Sequence, residues 1–206
     1  MIRILGRQSS LNVRKVLWAC DELNLDFERE DYGVGFRSVD TPDFLALNPN
    51  GQIPVVFDGD LVLWESNAII RYLANCHGHH LYPAEPVARA RVDQWLDWQA
   101  TDLNAAWVYG FLALARRTPG YDDPARITAS VAAWNRVMTI LDGQLAKAGG
   151  YVSGPEFRLA DIAIGLSVHR WVATPLDHAD LPRVRDYYER LRERPAFVPY
   201  ASSETP

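Results

Sequence analysis

The sequence predicts an α/β unit followed by an all-helical one, and three observations predict it. Over residues 1–78, short apolar runs alternate with segments of helical periodicity. Residues 79–86 contain Pro83 and Pro86 and no periodic pattern, as expected of a linker. From residue 87 onward the apolar spacing is helical throughout. The expected limits are therefore an α/β domain over 1–78, a linker over 79–86 and a helical domain over 87–206.

Ile2–Leu5 is a short apolar strand ended by Gly6. After the polar loop Arg7-Gln8-Ser9-Ser10, Val13, Val16, Leu17 and Cys20 recur at i, i+3, i+4 and i+7, the stripe of an amphipathic helix that Asn24 can close. Residues 27–31 read as a second strand. A β-α-β opening favours a parallel pair with a right-handed crossover. Thr41 precedes Pro42, a cap with proline in the first turn, so a short helix is expected over Pro42–Leu47. Asn48-Pro49-Asn50-Gly51 is a dense turn signal, and Asp58-Gly59-Asp60 separates two apolar runs as a hairpin turn does. Pro54 stands directly before the first run. A cis bond is one reason for it, leaving the Ile53 backbone outside the ladder and open to a peptide-like ligand; a plain trans edge proline is the other reading. Glu65-Ser66-Asn67 opens a helix carrying Ile69, Tyr72, Leu73 and Cys76, and Gly78 can stop it.

The order so far is β-α-β-α-β-β-α. Beyond the linker, Val92, Trp95, Leu96, Leu103, Trp107, Phe111 and Leu114 predict one long helix over 87–117, broken by Thr118-Pro119-Gly120. A second runs through Ile127, Val131, Trp134, Met138, Leu141 and Leu145 to Gly149-Gly150. A third carries Leu159, Ile162, Ala163 and Leu166. A fourth carries Val184, Tyr188 and Leu191 and stops before Pro195. The tail 202–206 is expected to fray.

Bulk properties exclude several classes. Of 206 residues, 48% are hydrophobic and 23% charged, ordinary proportions for a soluble globular protein. A net charge of −5 argues against a nucleic-acid partner. No apolar run is long enough to span a membrane, and the apolar core of the N-terminus is too short for a signal peptide. Two cysteines, Cys20 and Cys76, are too few for a disulfide framework, which fits a cytoplasmic location. Cys20 lies on the apolar side of the first helix and reads as a buried structural thiol. His77, His79 and His80 cluster at a helix end without supporting carboxylate or cysteine spacing, so no metal site is expected.

Four local motifs, in order, resemble the glutathione transferase family over nearly the whole chain. SSLNVRKVLWACDELNL is similar to the first-helix segment of its serine-type members. NPNGQIP is similar to its loop and proline before the third strand. WESNAIIRYL is similar to its Glu/Gln-Ser pair, and LADIAI to its C-terminal mid-helix signature. The resemblance is strongest to bacterial cytosolic members with a Ser/Asn pair. It implies a thioredoxin-like N-terminal domain, a C-terminal helical bundle, glutathione as cosubstrate, no metal, a homodimer and a role in detoxification. One position departs: Arg158 stands where the family usually has Ser or Thr as an N-cap, a loss typically worth about 0.5–2 kcal/mol. Asp161 is expected to satisfy backbone donors nearby, with Phe157 and Ile162 at the spacing of a hydrophobic staple.

Glutathione, an anionic tripeptide thiol, needs three things from a site. The γ-glutamyl end needs a carboxylate for its ammonium, and a hydroxyl with helix N-terminal N–H groups for its carboxylate; Glu65 and Ser66 supply these chemistries. The cysteinyl unit needs backbone pairing, which Ile53 before Pro54 offers as strand addition. Gln52, and less directly Arg37, suit the glycine carboxylate. The thiol needs donors. Ser10 and Asn12 flank the start of the first helix, where the macrodipole favours an anion, although Ser is also the usual N-cap there. Ser9 is the alternative to Ser10. For the electrophile, the expected walls are Arg7 and Gln8, with Trp107, Phe111 and Trp171 from the helical domain; Tyr109 is a further candidate, and core packing is the competing reading of these aromatics. Asp102 is either a contributor across a dimer, as the resemblance suggests, or a solvated helix charge.

The expected activity is conjugation of the glutathione thiolate to a small electrophile. Glutathione-dependent dehalogenation, reduction of peroxides or disulfides by glutathione, and non-catalytic glutathione or ligand binding share the same site and stay open.

Overall fold

A computed structural model describes residues 1–78 and 80–201. His79 and the tail 202–206 lie outside the described residues. The chain divides into two compact units, Met1–Tyr82 and the remainder from Pro83 onward.

The first unit has the expected element order. Strands β1 (Ile2–Leu5), β2 (Phe27–Glu30), β3 (Val55–Asp58) and β4 (Leu61–Trp64) form a mixed sheet in the order β2-β1-β3-β4. β1 pairs with β2 in parallel and with β3 antiparallel, and β3 and β4 form the hairpin around Asp58-Gly59-Asp60. Helix α1 (Leu11–Glu22) is the crossover between the parallel strands, and it packs along α3 (Ser66–His77). Their inward stripes, Val13, Val16 and Leu17 on α1 and Ile69, Ile70 and Leu73 on α3, are all buried. Asn24 closes α1 with φ 52. Strand side chains alternate between the two faces of the sheet. On one of them Leu5 and Val55 meet Phe44 of α2 (Pro42–Leu47). Thr41 Oγ1 caps α2 by accepting the Phe44 N–H at 3.3 Å.

The second unit is helical: α4 (Pro86–Trp98), α5 (Asn104–Leu114), α6 (Pro124–Ala148), α7 (Leu159–Ala173) and α8 (Pro182–Arg192). The single helix expected over 87–117 is a correction. A π turn at Gln99–Leu103 separates α4 from α5, and α5 ends at Leu114. The physical reason lies in Gln99, which is fully buried and bonds Asn104 Oδ1 at 3.1 Å and Ser167 Oγ of α7 at 3.2 Å. A wider turn accommodates one residue more than the α-period, and apolar spacing of three and four does not register it. In α8 the buried set is Val184, Tyr187 and Leu191, so Tyr187 takes the core position expected of Tyr188.

Helix α7 is buried on every side from Leu159 to Trp171, its polar residues Asp161, Ser167, His169 and Arg170 included. Arg158 provides no side-chain cap at its start. Asp161 replaces it. Its carboxylate accepts the Arg158 N–H at 2.8 Å, the Val152 N–H at 2.9 Å and the Tyr187 hydroxyl at 2.9 Å. Phe157, expected as a staple residue, packs edge-on against Tyr151 and beneath the Arg194 guanidinium. Burial pushes the Asp161 carboxyl up to about 6, against the pull of its three donors.

Asp161→Ala leaves those three buried donors without an acceptor and is expected to lower stability by about 3 kcal/mol or more in urea unfolding. Because the folded-state pKa lies above the ordinary value of 3.8, the folded chain binds more protons than the unfolded chain between the two values. Stability measured relative to Asp161→Asn should therefore fall as pH rises from about 4 to about 6 and level off above. A rise across that window would contradict the assignment.

Candidate functional site

In the first unit the candidate residues come from three places: the β1–α1 turn, the loop before β3 and the start of α3. The turn leaves the sheet at Gly6, whose φ is 152 and whose missing Cβ would lie 2.5 Å from Val13 Cγ2. Arg7 N donates to Tyr32 O at 3.1 Å, and Ser10 N to Arg7 O at 3.1 Å, which fixes the turn against the strand that follows α1. The two serines then differ. Ser9 Oγ accepts from Arg7 Nε at 3.1 Å. Ser10 occupies the N-cap position of α1, with extended backbone, yet its side chain makes no capping bond. Its hydroxyl is not spent on the role a serine ordinarily has there.

Asn12, in the first turn of α1, faces α3. Its Oδ1 accepts the Ser66 hydroxyl at 3.3 Å. Ser66 is 6% exposed and opens α3. Beside it, Glu65 is exposed and held at φ 71, ψ 107, a backbone region that disfavours a residue with a Cβ. Such strain persists only where surrounding structure imposes it, and here it sits where a carboxylate and a hydroxyl adjoin a helix N-terminus. Lys15 completes this corner. It is 1% exposed and donates through Nζ to Ser66 Oγ at 3.4 Å and to Asn67 Oδ1 at 3.1 Å. Reading the sequence for site residues missed Lys15. The available signal was a lysine four residues before Ala19 and one turn after Leu11, in register with the apolar positions of the helix.

The loop before β3 is organised by Asn48, which sequence reading assigned only to a turn. Asn48 is buried; its Nδ2 donates to Gln52 O at 2.8 Å and its Oδ1 accepts the Asn50 N–H at 3.1 Å. The Ile53–Pro54 bond is cis. Ile53 lies outside the ladder, which begins at Val55 opposite Leu5 and Trp64. The Gln52 side chain is exposed. Arg37 is exposed as well and is committed within its own loop. Its guanidinium bonds Glu30 Oε2 at 2.6 Å and stacks over Tyr32, and its pKa is held up by Tyr32 first and Glu30 second. That placement weakens the expectation that Arg37 reaches a ligand carboxylate. Arg7 lies against Gly33, where an added Cβ would meet Nη1 at 2.7 Å, and Gln8 is exposed.

In the second unit, Trp107 and Phe111 are brought together on α5, rings edge-on with centroids 5.4 Å apart. The buried Arg170 guanidinium covers both, 4.4 Å from the Trp107 ring and 4.1 Å from the Phe111 ring. Trp171 joins a different neighbourhood. Its indole N–H donates to Asn135 Oδ1 at 3.0 Å, and the residue lines a cavity of about 310 Å³ with His178, Leu181, Val184 and Tyr188. Successive helical residues diverge by about 100°, so once Arg170 faces Trp107, Trp171 must face elsewhere. Tyr109 stacks near Tyr121 and under Arg126, and Asp102 is exposed in the π turn.

Neither cysteine competes for the chemistry. Cys20 is fully buried and its thiol is pushed up to about 12 by burial, first, and by Asp21. The exposed Cys76 lies near the end of α3. Among the described residues no group of three or more His, Cys, Asp and Glu side chains gathers as metal ligands, and no helix is long and apolar enough to cross a membrane.

What the first unit assembles is a set of donors and one carboxylate at two helix N-termini. Known proteins identify the pattern. The family model "Glutathione S-transferase, N-terminal domain" matches residues 3–75, and "Glutathione S-transferase, C-terminal domain" matches residues 124–190. Glutathione S-transferase GstB of Escherichia coli is 39% identical over 199 residues, covering 95% of each chain. Disulfide-bond oxidoreductase YfcG of Escherichia coli is 30% identical, over 90% of this chain and 87% of its own. Among solved structures, the theta class glutathione S-transferase of Xanthomonas axonopodis pv. citri with glutathione bound superposes with a TM-score of 0.92. That protein is 39% identical, over 97% of this chain and 96% of its own.

The strain at Glu65 is testable apart from any ligand. Glu65→Ala removes the carboxylate and keeps the Cβ, whereas Glu65→Gly removes both. The glycine variant is expected to be more stable than the alanine variant by about 1 kcal/mol in urea unfolding. Equal stabilities would mean that the backbone there costs nothing.

Proposed function

The chain belongs to the glutathione S-transferase family, and on that premise we propose that it conjugates the thiolate of glutathione to a small electrophile. The observation that carries this reading is the free capping position of Ser10, two residues from Asn12 at the N-terminus of α1. A hydroxyl and an amide beside a helix N-terminus suit a thiolate in charge and in donors. Glu65 and Ser66 hold the γ-glutamyl end. The Ile53 backbone, before Pro54, pairs with the cysteinyl unit, and Gln52 is the partner for the glycine carboxylate.

In the reaction the thiol proton leaves to solvent and sulfur donates its electron pair to an electrophilic carbon. A C–S bond forms as a leaving group departs or as an adjacent π bond shifts. Arg7 and Gln8, with Trp107 and Phe111, are the residues proposed to meet the electrophile; Trp171 is the weaker member of the original set. The protein is proposed to act as a cytoplasmic homodimer in detoxification, which light scattering tests for the oligomer. A second reading, reduction of disulfides by glutathione, is favoured by the likeness to the oxidoreductase YfcG. Serines occupy the β1–α1 turn, so glutathione itself would supply the thiols. Parallel assays with an electrophile panel and with disulfide substrates separate the two.

A free thiol has a pKa of about 8.5, and lowering it by about two units raises the thiolate fraction at pH 7 some 25-fold. A Brønsted slope of about 0.4–0.5 returns roughly 6–10-fold of that gain. Ser10→Ala and Asn12→Ala should therefore each move the acidic limb of the kcat/KM profile for the electrophile, at saturating glutathione, up by roughly one unit, with less than about a twofold change at pH 7. Thiolate absorbance of bound glutathione measures the same shift directly. A profile unchanged in both variants would remove these residues from the chemistry.

A further inference from the structure

Lys15 is a buried, hydrogen-bonded side chain for which the proposed chemistry has no use. A lysine at 1% exposure is costly unless its amino group is partnered. Its partners Ser66 and Asn67 both stand at the start of α3. The direction of each bond matters. Lys15 Nζ has only protons to give, so its contact with Ser66 occupies a lone pair of Oγ. Ser66 keeps one lone pair and its single proton, and in this structure the proton goes to Asn12 Oδ1, at 3.3 Å.

We propose that Lys15 is a positioning residue. It biases Ser66 toward donating, and the α-carboxylate of bound glutathione takes that donor over from Asn12. The inference rests on the functional reading above. No covalent bond changes; one hydrogen bond is exchanged for another. The exchange runs toward the ligand because a carboxylate is a stronger acceptor than an amide oxygen, roughly twofold in hydrogen-bond strength. Once Ser66 has turned to the carboxylate, the Asn12 amide is no longer tethered through its oxygen. The torsion that orients an Asn amide is broad, so Nδ2 is then able to swing toward sulfur. Recognition of the γ-glutamyl end is thereby coupled to the donor set at the thiol, through two side chains on neighbouring helices. Without Lys15, Ser66 is as able to accept as to donate, and the coupling weakens.

The test compares glutathione with an analogue whose γ-glutamyl α-carboxylate is a carboxamide. Dissociation constants and the pKa of the bound thiol, from thiolate absorbance, are measured for the wild type, Lys15→Met, Ser66→Ala and the double variant. In the wild type, glutathione should show the lower thiol pKa of the two ligands. Lys15→Met should weaken glutathione roughly tenfold and the carboxamide less than about threefold, and raise the bound-thiol pKa of glutathione. In the Ser66→Ala background, Lys15→Met should change glutathione affinity by less than about twofold. Equal losses for the two ligands, or an undiminished effect of Lys15→Met in Ser66→Ala, would reduce Lys15 to a packing residue and overturn the proposal. Equal thiol pKa values for the two ligands in the wild type would overturn it without any variant, whether or not Lys15→Met folds. A wild type that binds neither ligand would overturn the functional reading first and this inference with it, whereas binding of glutathione with no discrimination overturns this inference alone.

Discussion

The contact between the N-terminal turns of α1 and α3 is the constraint on which the first unit depends. Along most of their length the two helices meet through apolar stripes, which set distance but tolerate sliding. At their N-termini the contact is polar: Lys15 to Ser66 and Asn67, and Ser66 to Asn12. Hydrogen bonds in a buried setting are directional and costly to leave unmade, so this end fixes the register of one helix on the other. It also places two helix N-termini beside each other, and each favours an anion. The strained Glu65 backbone stands at the same corner. The proposed site for an anionic peptide rests on how the helices are joined.

The second unit solves a similar problem with a different residue. Helix α7 has no exposed polar face to orient it, so apolar packing alone would leave its rotation loosely defined. Asp161 supplies direction by collecting a donor from its own N-terminus, one from Val152 and one from α8. Gln99 adds direction from the π turn by donating to Ser167. In both units a few buried polar side chains specify the arrangement that apolar area stabilises.

The fold was legible because its signals are local. Strand ends at Gly6, a cap at Thr41, the Asp58-Gly59-Asp60 turn and the stop at Gly149 each follow from backbone chemistry at one or two residues. Family resemblance then joined the segments. What stayed hidden required knowing what faces what. The π turn is invisible because Leu96, Leu103 and Trp107 fit a straight helix as well as a widened one. Trp171 was grouped with Trp107 and Phe111 because all three are large and helical, and only the facing of Arg170 separates them. Lys15 and Asn48 went unnoticed for a common reason. Each is polar and buried, which composition and periodicity do not report; Lys15 bonds across 51 residues to Ser66, whereas Asn48 bonds within its own turn to Gln52 and Asn50.

The same contrast separates holding a ligand from choosing a reaction. In the proposed reading stretch 48–66 supplies the Ile53 backbone, Glu65 and Ser66, which hold the ligand whichever bond is made. Donors at Ser10 and Asn12 are proposed to act on the thiol, yet the Brønsted trade-off limits thiolate activation to a few-fold at neutral pH. The larger contribution has to come from holding the electrophile beside sulfur, where effective molarity offers several kcal/mol. In the proposed reading that work falls to electrophile-site side chains such as Trp107 and Phe111. Their pattern in sequence is that of ordinary helix packing, and the stretch that organises the ligand says least about the reaction. The proposed coupling through Lys15 narrows this separation at one point, since it lets the grip on the γ-glutamyl end alter the donors presented to the thiol.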